Sequence, residues 1–87
     1  MTQQNNPAQV DSLVRVRHML GYSQEAVDTA QGYSRADLDT DRLLNLALTR
    51  LVELVGEAAW FVRNEFRVQH PHVPWRVIVG TRQRLTH

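Results

Sequence analysis

Between Leu44 and Val62 the apolar positions recur at i, i+3, i+4 and i+7: Leu44, Ala47, Leu48, Leu51, Val55, Ala58 and Val62. That period, held for some six turns, predicts a long amphipathic helix with one face on a core. Leu43, Leu54 and Phe61 run beside the first row. Together the rows exceed the roughly 100° that one core requires, so the helix is central to its bundle or also buried in a partner. Gly56 sits inside it. A glycine there costs stability unless another backbone packs close, which predicts a tight helix crossing. Upstream, Val10, Leu13, Leu20 and Val27, with Val14 beside them, predict a first helix from about Ala8 to Gln31. Gly21 interrupts that helix and allows a bend, and Gly32 is a natural stop.

The remaining elements are short. Ser34-Arg35-Ala36-Asp37 has the form of a capping box. Asp39 and Thr40 offer an N-cap for the long helix, with Asp41 in its favourable first turn. Asn64 to Gln69 reads either as a continuation of the long helix or as a short helix that restarts. His70-Pro71-His72-Val73-Pro74-Trp75 reads as a turn imposed by two prolines, anchored to the bundle by Trp75. A short helix or turn follows to Val79. Gly80 is expected to end it, and Thr81 to cap a last helix of two turns that starts at Arg82 and frays. No strand-like alternation and no repeat occur, so the fold class is all-α with about four to five helices. Residues 1 to 8 are polar and expected to be disordered, leaving one domain over 9 to 87.

Composition sharpens this reading. The 87 residues contain no cysteine, which excludes disulfides and thiolate metal sites. No apolar run approaches the ~18 residues of a membrane span, and the polar N-terminus lacks a signal-peptide pattern, so a cytoplasmic location is expected. All ten basic residues are arginine. From Trp60 onward five arginines face Glu65 alone, whereas the part before carries five arginines against eight acids. The basic last third suits an RNA backbone or an acidic partner; a mixed-charge surface without a partner is the plain alternative.

That basic third ends on Arg82 and His87. Histidine titrates near neutrality and can move protons. Arginine offers a permanently charged planar fork for phosphate. Together they suggest phosphodiester chemistry. Five helical steps put the two about 140° apart, so they share a ligand only in a groove beside the helix or with a second copy supplying one of them. A solvated basic helix end has the same spacing. Glu57 is either a solvent-facing glutamate or a carboxylate that orients an arginine near the site. His70 and His72 lack neighbouring metal ligands and read as loop histidines; no cofactor or metal is expected.

Several segments in order carry a more specific signal: Asp41-Arg42-Leu43-Leu44, Leu54-Val55-Gly56-Glu57-Ala58-Ala59, Glu65-Phe66-Arg67, His70-Pro71-His72-Val73-Pro74-Trp75-Arg76, Ile78-Val79-Gly80-Thr81-Arg82 and His87. In this order they resemble HepT-like proteins, toxins of the HEPN superfamily, over roughly Val14 to His87. The resemblance implies an antiparallel up-and-down helical bundle that forms a two-fold homodimer. It also implies a metal-independent ribonuclease whose catalytic pair matches Arg82 and His87, and a nucleotidyltransferase antitoxin as partner. Gln83, Arg84 and Arg76 are candidate supporting or RNA-binding residues, and Glu57 a candidate helper. Two departures are visible. Gln83 stands where the family has asparagine. The family pattern also continues to a tyrosine that accepts AMP, which neither Tyr22 nor Tyr33 matches, so a form truncated at the motif histidine is expected.

Two other classes compete. A non-catalytic dimeric module would use the same basic surface to dock a nucleotidyltransferase antitoxin. A DNA-binding helix-turn-helix protein would need a basic recognition helix, which the arginine placement does not provide.

Overall fold

The computed structural model describes residues 7–86, except for the side chains of Ala8 and residues 82–86. Five helices follow one another: α1 Pro7–Ala30, α2 Arg35–Thr40, α3 Arg42–Trp60, α4 Asn64–Gln69 and α5 Trp75–Thr86. No strand is present among the described residues. Residues 1 to 6, most of the segment 1–8 expected to be disordered, lie outside them; α1 begins at Pro7.

The three long helices run up, down and up around α3. The backbone N–H of Arg63, just past α3, donates to Ser12 Oγ near the start of α1 at 3.2 Å, and Met19 packs with Ala58 and Ala59. Along α5, Trp75 packs with Ala58, Ala59 and Val62, while Ile78 and Thr81 share a groove with Val55 and Val52. Each neighbour of α3 therefore advances as α3 recedes. The core is small: Met19, Ala58, Ala59, Val62, Trp75 and Val79, with Val16, Val55, Phe66, Val73 and Ile78 against it.

Local chemistry sets the helix ends. Ser34 and Asp37 form the expected reciprocal capping box at α2. Asp41, rather than Asp39 or Thr40, caps α3: its carboxylate accepts from the Leu44 N–H at 3.0 Å. Thr40 is instead the last residue of α2, its hydroxyl donating back to Ala36 O at 3.2 Å. Gly32 adopts φ +84°, the left-handed stop that glycine takes without a Cβ penalty. Gly21 is different. It lies in the middle of an unbroken, exposed α1, and a Cβ placed there meets nothing within 4 Å. Gly21→Ala is expected to stabilise the fold by roughly 0.5–1 kcal/mol in urea unfolding, because only backbone entropy opposes glycine at that place.

The face of α1 differs from the expected one. Val10, Leu13, Val14, Leu20 and Val27 are exposed, Leu20 at 69% and Val27 at 62%. The buried or half-buried row is Ser12, Val16, Met19, Ser23 and Ala26. The row matches what α3 presents: Met19 and Val16 fill the space over the small Ala58 and Ala59, the small Ser23 and Ala26 lie beside Val52 and Val55, and Ser12 meets the Arg63 N–H. The second row on α3 is open to solvent at its two ends, Leu43 at 80% and Phe61 at 48%, and half-buried at Leu54, with the Arg15 guanidinium 4.7 Å above the Phe61 ring.

Candidate active site

The end of α3, the turn after α4 and the start of α5 form one locked unit. The His70 carbonyl accepts from the Val73 N–H at 3.2 Å and from Trp75 Nε1 at 3.0 Å. Those two bonds fix the double-proline turn and set the direction in which α5 leaves it. Phe66 stacks on His70 at 4.4 Å and meets the buried Trp75 edge-on at 6.4 Å. His72 lies edge-on to His70 at 6.0 Å, so both histidines are held in ring contacts of the loop. Among the described residues no three His, Cys, Asp or Glu side chains gather as a metal site.

Arg67 is the residue that sequence reasoning missed. Its guanidinium donates to Ala59 O at 2.7 Å, to Trp60 O at 3.4 Å and to Val62 O at 3.1 Å. It therefore closes the C-terminus of α3, where carbonyls lack intrahelical partners. The same group lies 5.8 Å from the Trp75 ring centroid. A basic residue seven positions after the last residue of α3, a helix whose end the sequence does not mark, gave no signal beyond its place in the Glu65-Phe66-Arg67 segment.

α5 differs from the expected pair of pieces. It runs unbroken through Gly80 to Thr86. Thr81 does not cap a new helix; its hydroxyl donates to Val77 O at 2.9 Å within α5. The first α5 bond comes earlier, from the Ile78 N–H to Pro74 O at 3.1 Å. One helix of 12 residues thus links the locked turn to Arg82. Trp75, Ile78 and Val79 hold the start of the helix against the bundle, and the α5 backbone reaches position 82 seven residues after Trp75. Next to it, Thr81 edges an apolar groove with Ser23, Ala26, Val52 and Val55.

The remaining candidates are distributed along this frame. His87 and the side chains of Arg82, Gln83 and Arg84 lie outside the described residues. Arg76 is exposed and, among the described residues, forms no ion pair; Arg50 and Glu53 do, at 3.6 Å. Glu57 is half-buried and also without an ion pair there. It shares the α3 line of Leu54 and Phe61, on the side toward Arg15 of α1, whereas Val52 and Val55 line the α5 groove. In antiparallel register its level on α5 is that of Arg76, some six residues or about 9 Å of helix rise from position 82. Arg76 and Glu57 are therefore near the locked end and Arg82 near the open end.

A family model described as Ribonuclease HepT-like matches residues 19–87. A protein of Caldanaerobacter subterraneus subsp. tengcongensis with a provisional RNase name is 35% identical over 72 residues, covering 83% of this chain and 64% of that protein. One of Methanocaldococcus jannaschii, also provisionally named an RNase, is 28% identical over 69 residues, 79% of this chain and 63% of that protein. A Thermococcus cleftensis protein named as a probable ribonuclease HepT is 31% identical over 67 residues, 72% of this chain and 61% of that protein. The chain thus spans less than two thirds of these relatives' length. No solved structure matches.

Proposed function

Since the chain belongs to the HepT-like ribonuclease family, we propose that it acts on RNA through Arg82 and His87, as the toxin of a toxin–antitoxin pair. In this reading the His87 imidazole takes the proton from a ribose 2′-hydroxyl, or returns one to the leaving oxygen. The Arg82 guanidinium meets the charge that develops on the phosphate. The products are a 2′,3′-cyclic phosphate and a 5′-hydroxyl, and no metal takes part. Gln83 and Arg84 would supply further contacts to the RNA.

The observation that carries the reading is α5. It is a continuous helix that starts from a rigid turn, carries the motif arginine and ends a basic third of the chain. Cleavage of single-stranded RNA in excess chelator, lost in Arg82→Ala and His87→Ala, tests it. Cleavage abolished by chelator and restored by a divalent ion would reject metal independence.

A homodimer belongs to the same proposal. The exposed rows Leu13–Leu20–Val27 on α1 and Leu43–Phe61 on α3 support it, since a small soluble domain rarely leaves two such rows uncovered. Sedimentation of Leu20→Lys and Leu43→Lys is expected to show weakened self-association in one of them. Monomeric parent protein at tens of micromolar would contradict the dimer. The non-catalytic reading, a module that docks a nucleotidyltransferase antitoxin, rests on the same exposed rows. It would be selected by antitoxin binding with no RNA cleavage. No helix among the described residues is long and apolar enough to cross a membrane.

A further inference from the structure

Trp60 is an unusual terminal residue for α3. Its backbone is fixed, because its carbonyl accepts from Arg67, yet its indole is 55% exposed. It borders a shallow cleft between the end of α3 and the start of α5, together with Asn64, Arg67, Arg76 and Gly80. Among the described residues, both charged side chains on this cleft are arginines and no carboxylate lines it. Arg67 spends its donors on carbonyls, which leaves Arg76 as the exposed cation beside the indole.

We propose that Trp60 and Arg76 form a platform for single-stranded RNA, the indole stacking on an unpaired base and the guanidinium holding an adjacent phosphate. The inference rests on the ribonuclease reading and extends its substrate path from the C-terminal pair to the locked end of the bundle. A flat indole next to a guanidinium is the pairing that sequence-tolerant strand binders use: every base has a face to stack, and every linkage has a charge. Asn64 adds an amide for a base edge. The α5 line through Arg76 continues at Gly80 and Gln83, positions i+4 and i+7, and the same spacing in the sequence reaches 87. Gly80 has no side chain, and a Cβ built there meets nothing within 4 Å, so the helix surface one turn beyond Arg76 is open. Val68 and Val77, exposed nearby, would also suit an apolar partner. The arginine-only charge of the cleft favours the polyanion.

Binding is read with the 87-residue chain and a fluorescein-labelled single-stranded 2′-O-methyl oligonucleotide of about 12 nucleotides, within the ~4–16 that such grooves cover. The methyl group blocks 2′-hydroxyl attack, so the readout is independent of cleavage. Trp60→Ala is expected to weaken binding by roughly 5- to 100-fold, the value of one stacked base, and Trp60→Phe to retain most of it. Arg76→Ala should lower the slope of log affinity against log salt by about 0.7, one phosphate contact on a single strand. Oligonucleotide should quench indole fluorescence in the parent and not in Trp60→Phe, because Trp75 is buried. Helical circular dichroism should be unchanged, since both side chains are exposed.

Unchanged affinity in Trp60→Ala, or equal affinity for duplex and single strand, would overturn the platform. So would a variant that alters self-association in place of RNA affinity, which would assign the cleft to a second copy. Failure of the ribonuclease reading looks different: no cleavage of 2′-hydroxyl RNA by the parent while Trp60-dependent binding persists. That outcome upholds the platform on a binding protein.

Discussion

Trp75→Ala is expected to remove about 3–5 kcal/mol of stability, the usual cost of emptying a large buried aromatic site. For a domain this size the whole is about 5–15 kcal/mol, so the variant should melt at least 10 °C lower or fail to fold near room temperature. Three losses combine. The ring leaves a core of only six buried residues, in which its neighbours are the small Ala58 and Ala59 and cannot refill the space. Nε1 leaves the His70 carbonyl, loosening the turn that aims α5. Phe66 loses its edge-on partner and the Arg67 guanidinium its aromatic face. Trp75→Phe separates these effects. It keeps much of the apolar volume and drops the hydrogen bond, for an expected cost of about 1–2 kcal/mol. Urea unfolding followed by circular dichroism measures both. A Trp75→Ala midpoint equal to the parent's would disprove its role as anchor.

The same residue marks how far the sequence could be read. Trp75 as an anchor, the capping box at Ser34 and Asp37, the stop at Gly32 and the long central helix all follow from local rules, and local rules hold when a motif satisfies its own backbone groups. The face of α1 did not follow. Periodicity locates a row of large apolar residues, but burial is decided by fit to the neighbour. Met19 fits over Ala58 and Ala59, Ser12 meets the Arg63 N–H, and Ser23 and Ala26 lie beside Val52 and Val55, while Leu20 and Val27 stay outside. Gly80 misled for a related reason. Glycine ends helices only where the chain adopts positive φ or loses its packing. Here Trp75, Ile78 and Val79 keep α5 against the bundle and carry the helix through. Arg67 was invisible because its partners are carbonyls up to eight residues away, and their exposure depends on where α3 happens to end. At the candidate site, spacing named Arg82 and His87. The fold adds the unbroken helix that carries position 82 and the rigid start of that helix.

Arg82→Ala and His87→Ala are the decisive substitutions for function. Loss of a positioned proton-transfer group typically costs about 10²–10⁴-fold in rate, and loss of one group that stabilises developing oxyanion charge about 10²–10³-fold. Each variant is expected to lower RNA cleavage within those ranges, and a melting temperature close to the parent's would separate that loss from unfolding. Arg82→Lys is the sharper probe. It keeps the charge but loses the planar fork, so activity should fall well below the parent if the arginine grips phosphate through two donors. Near-parent activity would reduce its role to a point charge. The double variant should be little worse than the worse single one, since residues that act on one phosphate are strongly non-additive. Rate losses that multiply as independent factors would separate the two residues into different sites and dissolve the pair on which the ribonuclease proposal stands.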